Sequence, residues 1–376
     1  MPENPHPLPK LGPVIVTGGC GFIGSHLVDN LLQVEPGCQV HVIDVNTSRN
    51  RVAGVSYHTC DVSSAKEVDA VFAEAKPKTV FHVACPDSTV QQPAVFRRVN
   101  VDGARNLLRA CRQNKTVQAF INTSTSSVIH DNLTDLFDAD ETFPVLQYPA
   151  QKRVYTLTKA EAEADILAAN RESGDASMLT VSLRPATAFG ERDTVCMGKI
   201  VANARAGKAK FQIGPGNNMY DFVYISNLVD AHILAAHALV QAYGRPAPAS
   251  DMRVDGEAFN ITNEEAVEFW DFQRSIAASV GLPVKKEDIR IVPIWIAMVT
   301  AAVTEWIYWV FTLGKKQPIV TRETIHLTTL SRTLSNAKAR RVLGYTPKVS
   351  MSSGLSKAGK WFTKEAEKAK ESRKAI

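Results

Sequence analysis

The chain has 376 residues, of which 45% are hydrophobic and 22% charged, and its formal net charge at pH 7 is +5. This composition is typical of a globular protein with two domains, or with one large domain and an appended lobe. Most of the excess charge lies in residues 357–376, which contain seven Lys and Arg and three Glu. Because these basic residues form a tail and do not line a groove, the charge pattern argues against a nucleic-acid-binding protein.

Cysteine spacing and the first residues bear on the cellular compartment. The six cysteines form no Cys-x-x-Cys pair and fall mostly within predicted strands and helices. Their positions are typical of buried thiols in a reducing compartment and indicate no metal site. Residues 1–13 are rich in proline and lack the basic and apolar regions of a secretory signal, so they predict a short disordered lead.

Short apolar runs alternate with helical patterns from residue 14 onward. Strands are predicted at 14–17, 39–44, 56–61, 79–84, 119–123 and 179–183, and the main helices at 22–33, 95–113 and 152–170. This alternation predicts the α/β class, a doubly wound parallel sheet over residues 14–188. A smaller C-terminal substrate lobe is expected over 189–355, with 222–240 returning to the first domain. Residues 356–376 then form a basic terminal helix or tail.

A glycine turn follows the first predicted strand and opens the first helix. Gly18, Gly21 and Gly24 have the spacing that gives a tight turn, a close approach to a pyrophosphate and close packing of helix on sheet. Asp44 ends the next strand, where a carboxylate can accept hydrogen bonds from ribose hydroxyls. Asp44 favours NAD, while the nearby Arg49 and Arg51 predict that NADP is tolerated to some degree.

Tyr155 and Lys159 are four residues apart on the predicted helix 152–170, so their side chains share one face. A cation beside a phenol favours the phenolate, which predicts a lowered pKa for Tyr155 and proton exchange with a substrate alcohol. Together with the glycine turn, this pair predicts hydride transfer to or from a hydroxyl group. The apolar residues of this helix that are available for burial are Leu157, Ala160, Ala164, Ile166, Leu167 and Ala168.

Residues 291–313 form an apolar run as long as a membrane span, with Glu305 as their only charge and with Trp295, Trp306 and Trp309. Three interpretations stay open: a buried helix of the substrate lobe, a helix lying in a bilayer interface, and a true span. Lys315 and Lys316 follow directly, as expected at a headgroup boundary.

Further motifs carry a resemblance to a known family. They are Cys60-Asp-Val62, His82-Val-Ala-Cys-Pro86, Val99-Asn-Val-Asp-Gly103, Leu183-Arg-Pro185, Phe222-Val-Tyr-Ile-Ser226 and Arg341-Val-Leu-Gly-Tyr-Thr-Pro347. With the glycine turn and Tyr155, they resemble the 3β-hydroxysteroid dehydrogenase group of the extended short-chain dehydrogenases. The segments 254–262, 269–272 and 341–347 are most similar to those of fungal decarboxylating sterol-4α-carboxylate 3-dehydrogenases.

The resemblance implies a set of site residues. Tyr155, Lys159, Thr125 and Ser124 are the implied catalytic residues. Thr125 stands where the family usually has serine, so Ser124 and Ser126 remain alternatives for orienting the substrate oxygen. The implied cofactor-binding residues, besides the glycines and Asp44, are Phe22, Ile23, Asp61, Val62, Ala84, Asn100, Thr123, Tyr155, Lys159 and Pro185.

The reaction implied by the resemblance is oxidation of the 3β-hydroxyl of a 4α-carboxysterol, followed by loss of the carboxylate as carbon dioxide. The alternatives are a related dehydrogenase for another steroid or triterpenoid, a nucleotide-sugar epimerase, and an NAD-sensing protein without catalysis. A sterol substrate further implies the cytosolic face of the endoplasmic reticulum, peripheral membrane contact, a complex with other C4-demethylation enzymes, and a homodimer.

Overall fold

A computed structural model describes residues 8–87, 90, 92–313, 318 and 320–374. Lys315 and Lys316, which were expected at a headgroup boundary, lie outside the described residues. In chain order the strands are β1 (Val14–Thr17), β2 (Val40–Asp44), β3 (Val55–Thr59), β4 (Thr79–His82), β5 (Ala119–Thr123), β6 (Leu136–Ala139), β7 (Leu179–Pro185), β8 (Thr187–Phe189), β9 (Phe211–Ile213), β10 (Met219–Tyr220), β11 (Phe222–Tyr224), β12 (Glu257–Ile261), β13 (Val267–Glu268), β14 (Arg290–Val292) and β15 (Arg332–Leu334).

The α-helices surround these strands. They are α1 (Phe22–Val34), α2 (Ala65–Ala75), α3 (Pro93–Phe96), α4 (Gly103–Asn114), α5 (Val154–Ala168), α6 (Met197–Arg205), α7 (Ile225–Ala242), α8 (Phe269–Ser279), α9 (Ile294–Thr312), α10 (Arg322–Leu327) and α11 (Met351–Lys374). A π-helical segment, Arg97–Asp102, joins α3 to α4, and a short 3₁₀ helix, Ser126–Ile129, follows β5.

Seven parallel strands form the central sheet in the order β12-β7-β5-β4-β1-β2-β3. Alternate residues of each strand enter separate apolar cores: Val14 and Val16 pack with α1 and α7, while Ile15 packs with α2, α4 and α5. The predicted doubly wound α/β sheet is confirmed. Because both faces of the central sheet are buried, the sequences of its strands are nearly continuous apolar runs.

Two parts of the chain differ from the sequence-based expectation. The edge strand β12 lies within the predicted substrate lobe, yet it pairs with β7 in the central sheet. Leu11 is fully buried and its N–H donates to Glu35 Oε2 at 2.8 Å, and the Pro9 carbonyl lies 3.1 Å from His237 Nδ1, so residues 9–13 pack against the domain and the predicted disorder is wrong there. Residues 1–7 lie outside the described part. The predicted terminal helix is present as α11.

A second sheet has the strand order β13-β10-β15-β6, with three strands from the C-terminal half of the chain and β6 from the N-terminal half. β10 and β15 are parallel, and the pairing of Tyr220 with Arg332 places these two side chains on one face. Because β6 follows the 3₁₀ helix in sequence, this sheet brings the C-terminal half of the chain against the segment after β5.

The helix α9 is the one helix among the described residues that is long and apolar enough to cross a membrane. Only Ala297 and Ala301 are buried in it, whereas Trp295, Trp306 and Trp309 are each more than 60% exposed. The interpretation as a buried helix of the substrate lobe is therefore wrong. Ala297 and Ala301 pack with Ile325 of α10, which covers one side of α9.

Candidate active site

The glycine turn lies at the carboxyl edge of the central sheet, between β1 and α1. Gly18 has a φ of +68°, and a Cβ there would lie 2.8 Å from Ala84 Cα. A Cβ on Gly24 would lie 2.2 Å from the Gly18 carbonyl oxygen. No side chain caps the start of α1, which Phe22 and Ile23 open, so its first N–H groups are available to a phosphate.

Asp44 ends β2 beside this turn. Its Oδ2 accepts a hydrogen bond from the Cys20 N–H at 3.1 Å, and its Oδ1 accepts one from the Asn46 N–H at 3.0 Å. These two bonds fix the carboxylate next to the glycine turn, where it is positioned for the ribose role predicted from the sequence. The Arg51 guanidinium lies 4.4 Å from the centre of the Tyr57 ring.

The other predicted cofactor residues lie along the same edge or beside it. Asp61 and Val62 follow β3, Ala84 follows β4, Thr123 ends β5 and Pro185 ends β7, while Asn100 is in the π-helical segment and donates to Thr158 Oγ1 at 3.1 Å. β1 lies between β4 and β2, the switch point at which doubly wound sheets bind ligands. The residues therefore fit a dinucleotide, which supplies a hydride acceptor when bound.

The predicted catalytic pair, Tyr155 and Lys159, lies on α5, and Lys159 reaches the end of β5. Lys159 is buried, and its Nζ donates to the Thr123 carbonyl oxygen at 2.7 Å. The Thr123 hydroxyl lies 2.8 Å from His232 Nε2, while His232 Nδ1 lies 2.8 Å from the Leu228 carbonyl. Burial lowers the pKa of His232 to about 4, so the ring is neutral, donates through Nδ1 and accepts from Thr123 through Nε2.

The segment after β5 supplies the hydroxyl beside Tyr155. The Thr125 side chain is close enough to the Tyr155 phenol to lower its pKa, and it also caps the 3₁₀ helix by accepting from the Ser127 N–H at 3.2 Å. Ser126 Oγ accepts from Arg332, and the Ser124 Oγ is buried without a partner among the described residues. Of these three hydroxyls, that of Thr125 is the one that lowers the pKa of the Tyr155 phenol.

The pKa of Tyr155 is raised, contrary to the expectation from the Tyr155–Lys159 spacing. Burial is the largest cause, and the nearby Cys85 raises the pKa further. The nearby Thr125 hydroxyl and the positive charges of Arg153 and Arg332 lower the pKa but are outweighed. The phenol is thus protonated in the protein alone, because desolvation disfavours its charged form more than the neighbouring charges favour it.

A buried ion pair holds α5 against the sheet. Glu163, one turn after Lys159, accepts from Arg184 Nε at 3.0 Å and from the Ser182 hydroxyl at 3.0 Å. Both charged side chains are almost fully buried. The pair therefore sets the position of α5, and with it the positions of Tyr155 and Lys159, relative to β7.

Sequence reasoning missed three residues around this site: Glu163, His232 and Arg332. Each is distant in sequence from its main partner, so no local pattern could have identified them. Arg332 is the most distant of the three. It comes from β15, and its NH2 donates to Ser126 Oγ at 2.9 Å and to Ser127 Oγ at 3.1 Å.

Two other features lie away from these residues. A cleft of 660 Å³ is lined by Phe137, Asp221 and Arg340, among others, but by none of the predicted catalytic residues. His41, His58 and Glu74 place potential metal-ligand atoms within 4.8 Å of one another at the β2–β3 edge, although the sequence indicated no metal site. Neither feature touches Tyr155.

The chain is similar in sequence to a characterised enzyme family. Residues 15–291 match the model of the 3-beta hydroxysteroid dehydrogenase/isomerase family. The chain is 33% identical to a Saccharomyces cerevisiae protein named sterol-4-alpha-carboxylate 3-dehydrogenase, decarboxylating, with 94% of this chain and 98% of that protein covered. It is 32% identical to the Bos taurus protein of the same name, covering 94% of each.

Similar relatives occur in plants, and solved structures share the fold. An Arabidopsis thaliana protein named 3beta-hydroxysteroid-dehydrogenase/decarboxylase isoform 1 is 34% identical, covering 91% of this chain and 77% of that protein. The UDP-glucose 4-epimerase of Thermus thermophilus in complex with NAD has a TM-score of 0.68 at 24% identity, covering 93% of this chain and 98% of that one. This similarity shows a common fold.

Proposed function

Because the chain belongs to the 3-beta hydroxysteroid dehydrogenase/isomerase family, we propose that it oxidises the 3β-hydroxyl of a 4α-carboxysterol and releases the carboxylate as carbon dioxide. The observation that carries this proposal is the convergence of Tyr155, Lys159 and Thr125 at the cofactor edge of the sheet, in a chain whose relatives bear that enzyme name. Such a reaction belongs to sterol biosynthesis.

The side chains divide the oxidation between them. Tyr155 removes the proton from the 3β-hydroxyl and Thr125 donates a hydrogen bond to the reacting oxygen, while Lys159 would hold the nicotinamide ribose. A nicotinamide dinucleotide bound at the glycine turn would supply the acceptor for the hydride that leaves C3. The raised pKa of Tyr155 means that proton removal depends on added positive charge at the bound site.

Loss of carbon dioxide needs no further cofactor. In the 3-keto-4-carboxylate, the bond from C4 to the carboxylate carbon breaks and its electron pair moves to the C3 oxygen as an enolate, which is then protonated at C4. Hydroxyl donors at that oxygen stabilise the developing negative charge. Thr125 and protonated Tyr155 are the donors proposed for this second role.

NAD is the proposed cofactor. Asp44 would place a negative charge beside the 2′-phosphate of NADP, which disfavours that cofactor. Arg51 is engaged with the Tyr57 ring and the Thr47 carbonyl, which reduces its ability to compensate. We expect turnover with NADP to be slower than with NAD.

The exposed face of α9 supports contact with a membrane. Glu305 pairs with Arg322 of α10 at 2.8 Å, and α10 also contains Glu323 and His326. A helix spanning the bilayer would carry these charged residues into hydrocarbon, whereas one lying in the interface keeps them on its protein side. α9 is therefore proposed to lie in the plane of the endoplasmic reticulum membrane, on its cytosolic face. A homodimer and a complex with other C4-demethylation enzymes remain predictions.

The proposal is tested by measuring NADH and carbon dioxide from three substrates: a 4α-carboxysterol, a plain 3β-hydroxysteroid and a UDP-sugar. The carboxysterol should give both products in equal amounts. Oxidation of the plain steroid alone would favour the related steroid or triterpenoid dehydrogenase, and conversion of the UDP-sugar would favour an epimerase. NAD binding without turnover of any substrate would favour an NAD sensor.

Replacement of Tyr155 tests the catalytic assignment. Tyr155→Phe removes only the phenolic oxygen, so NADH formation should fall by at least about 100-fold, in the range attributed to general acid–base catalysis. NAD affinity, measured by calorimetry, should change little because the ring and Lys159 remain. Retention of turnover in this variant would refute the role of Tyr155.

A further inference from the structure

Arg332 is a buried cation without a counterion. The residue is 7% exposed, and it forms no ion pair with any residue that the structure describes. Its hydrogen-bond partners are neutral: the hydroxyls of Ser126, Ser127 and Tyr220. Its Nε is buried and has no partner in the described part of the chain.

The other buried cations of the protein show why this is unusual. Three Lys or Arg residues are buried among those the structure describes: Lys159, Arg184 and Arg332. Arg184 is neutralised by Glu163, whereas Lys159 faces the proposed cofactor site. A buried charge left unpaired is costly, so an unpaired one indicates that an anion completes the site.

Arg332 lies beside the catalytic residues, although it comes from the second sheet. Its guanidinium bonds to Ser126 and Ser127, the first two residues of the 3₁₀ helix that Thr125 caps. Its positive charge is also close enough to lower the pKa of Tyr155. The cation and the phenol therefore border the same site.

We propose that Arg332 binds the carboxylate of the substrate while Tyr155 meets the hydroxyl on the adjacent carbon. This inference rests on the proposed function and extends it to the residue that recognises the acid group. A planar guanidinium can bind a carboxylate through two parallel hydrogen bonds, which fixes orientation as well as position. The unpartnered Nε supplies one free donor for that purpose.

This arrangement makes binding specific for sterols that carry the carboxylate. A sterol that lacks the carboxylate would bury Arg332 further and leave its charge unpaired, so it should bind more weakly. The hydrogen bonds to three hydroxyls hold the guanidinium in place before the substrate arrives. Arg332 thus acts by binding substrate and takes no part in proton or hydride transfer.

The test uses ligands that bind but cannot react. A 3-deoxy-4α-carboxysterol and its methyl ester differ in charge and little else, and their dissociation constants are measured on the NAD-loaded full-length protein. Arg332→Gln should weaken binding of the acid by about 30-fold or more, the effect expected when one partner of a buried charge pair is lost. Binding of the ester should change by less than about threefold.

Two further variants separate loss of carboxylate binding from a general effect of changing an arginine. Arg332→Lys retains the charge without the planar fork, so it should weaken acid binding by less than Arg332→Gln does and should leave ester binding unchanged. Arg340→Gln is the matched control, because Arg340 is exposed and pairs with Glu264, and it should leave the affinities for both ligands unchanged. If Arg332→Gln fails to fold, as judged by thermal unfolding and NAD affinity, the Lys variant still separates acid from ester.

The outcomes distinguish this inference from the proposed function. Equal losses for acid and ester, or no loss for either, would overturn the role of Arg332 while leaving the dehydrogenase intact. If the wild-type protein makes no NADH from a 4α-carboxysterol but binds the unreactive acid through Arg332, the proposed reaction falls and the carboxylate site stands.

Discussion

Glu163 lies on α5 with Tyr155 and Lys159, but its role is structural. Its carboxylate is the counterion of buried Arg184 and the acceptor for Ser182, so it links α5 to β7. Removing one member of a buried pair leaves the other charge unpaired in a low-dielectric interior, which costs more than the pair itself contributes. The positions of Tyr155 and Lys159 therefore depend on Glu163, a residue outside the proposed catalytic set.

Substitution of Glu163 should be strongly destabilising. Glu163→Gln removes the charge at nearly constant shape, and we expect a loss of about 3–5 kcal/mol in the free energy of unfolding. Urea unfolding measures this loss. Glu161→Gln is the control on the same helix, since Glu161 pairs with Arg97 and Arg105 at the surface and should cost less than about 1 kcal/mol. Similar losses in the two variants would contradict the anchoring role.

The buried face of α5 also shows where the sequence pattern misled. Of the apolar residues expected to be buried, Ala160 and Ile166 are, but Ala164 and Ala168 are exposed. Thr158, Lys159 and Glu163 occupy much of the buried face instead. Polar residues can take these positions because each has a partner on another element, and hydrophobic periodicity carries no information about such partners.

At the scale of elements, α9 and α10 connect the proposed membrane surface to the active site. α10 contacts the segment after the 3₁₀ helix through Glu323, which accepts from Asn132 Nδ2 at 3.0 Å. The chain then runs directly from α10 to β15 and Arg332. A sterol leaving the bilayer at α9 would therefore be close to the residue proposed to bind its carboxylate.

The tryptophans of α9 should provide much of the membrane affinity. Replacing Trp306 and Trp309 by Ala removes large apolar side chains from the exposed face, so binding to phosphatidylcholine vesicles should weaken on the order of tenfold for each. Co-sedimentation measures the partitioning. Tyr148→Ala is a suitable control, because Tyr148 is exposed and lies outside α9. Undiminished binding of the double variant would argue against the interfacial helix.

At the scale of the whole molecule, buried neutral histidines make stability depend on pH. Burial lowers the pKa of His82 to about 3, with a further contribution from Lys159, and lowers that of His232 to about 4. In the unfolded chain both titrate near pH 6.5. The unfolded state therefore binds more protons between these values, so the stability is fully present above about pH 6.5 and is lost as the pH falls.

Acidification should consequently destabilise the fold. Between pH 7.5 and pH 5, each of these histidines should remove about 2 kcal/mol from the free energy of unfolding. Urea titrations at the two pH values give the difference. His232→Gln should reduce that difference by about 2 kcal/mol, since the contribution of His232 is then gone. An unchanged difference would mean that His232 is not held neutral in the fold.

The sequence by itself determined the sheet, the glycine turn, Asp44 and the Tyr155–Lys159 pair. Each of these depends on short-range patterns: alternation of apolar runs, fixed glycine spacings and two residues on one helical face. The helix α2 and the edge strand β12 were missed. The helix α2 was missed although Val68, Val71, Phe72 and Ala75 have the spacing of one buried helical face, whereas β12 lies far along the chain from β7, its partner.

Only the tertiary structure determined which residues surround Tyr155 and Lys159. Arg332, His232 and Glu163 each act through a residue at least 19 positions away, and such distant pairings leave no local pattern in a single sequence. The direction of the Tyr155 pKa was decided in the same way, because burial depends on packing and outweighs the charges that the sequence places nearby. Sequence spacing identified the candidate reacting groups, whereas long-range packing set their charge, their position and the nearby cation that has no counterion among the described residues.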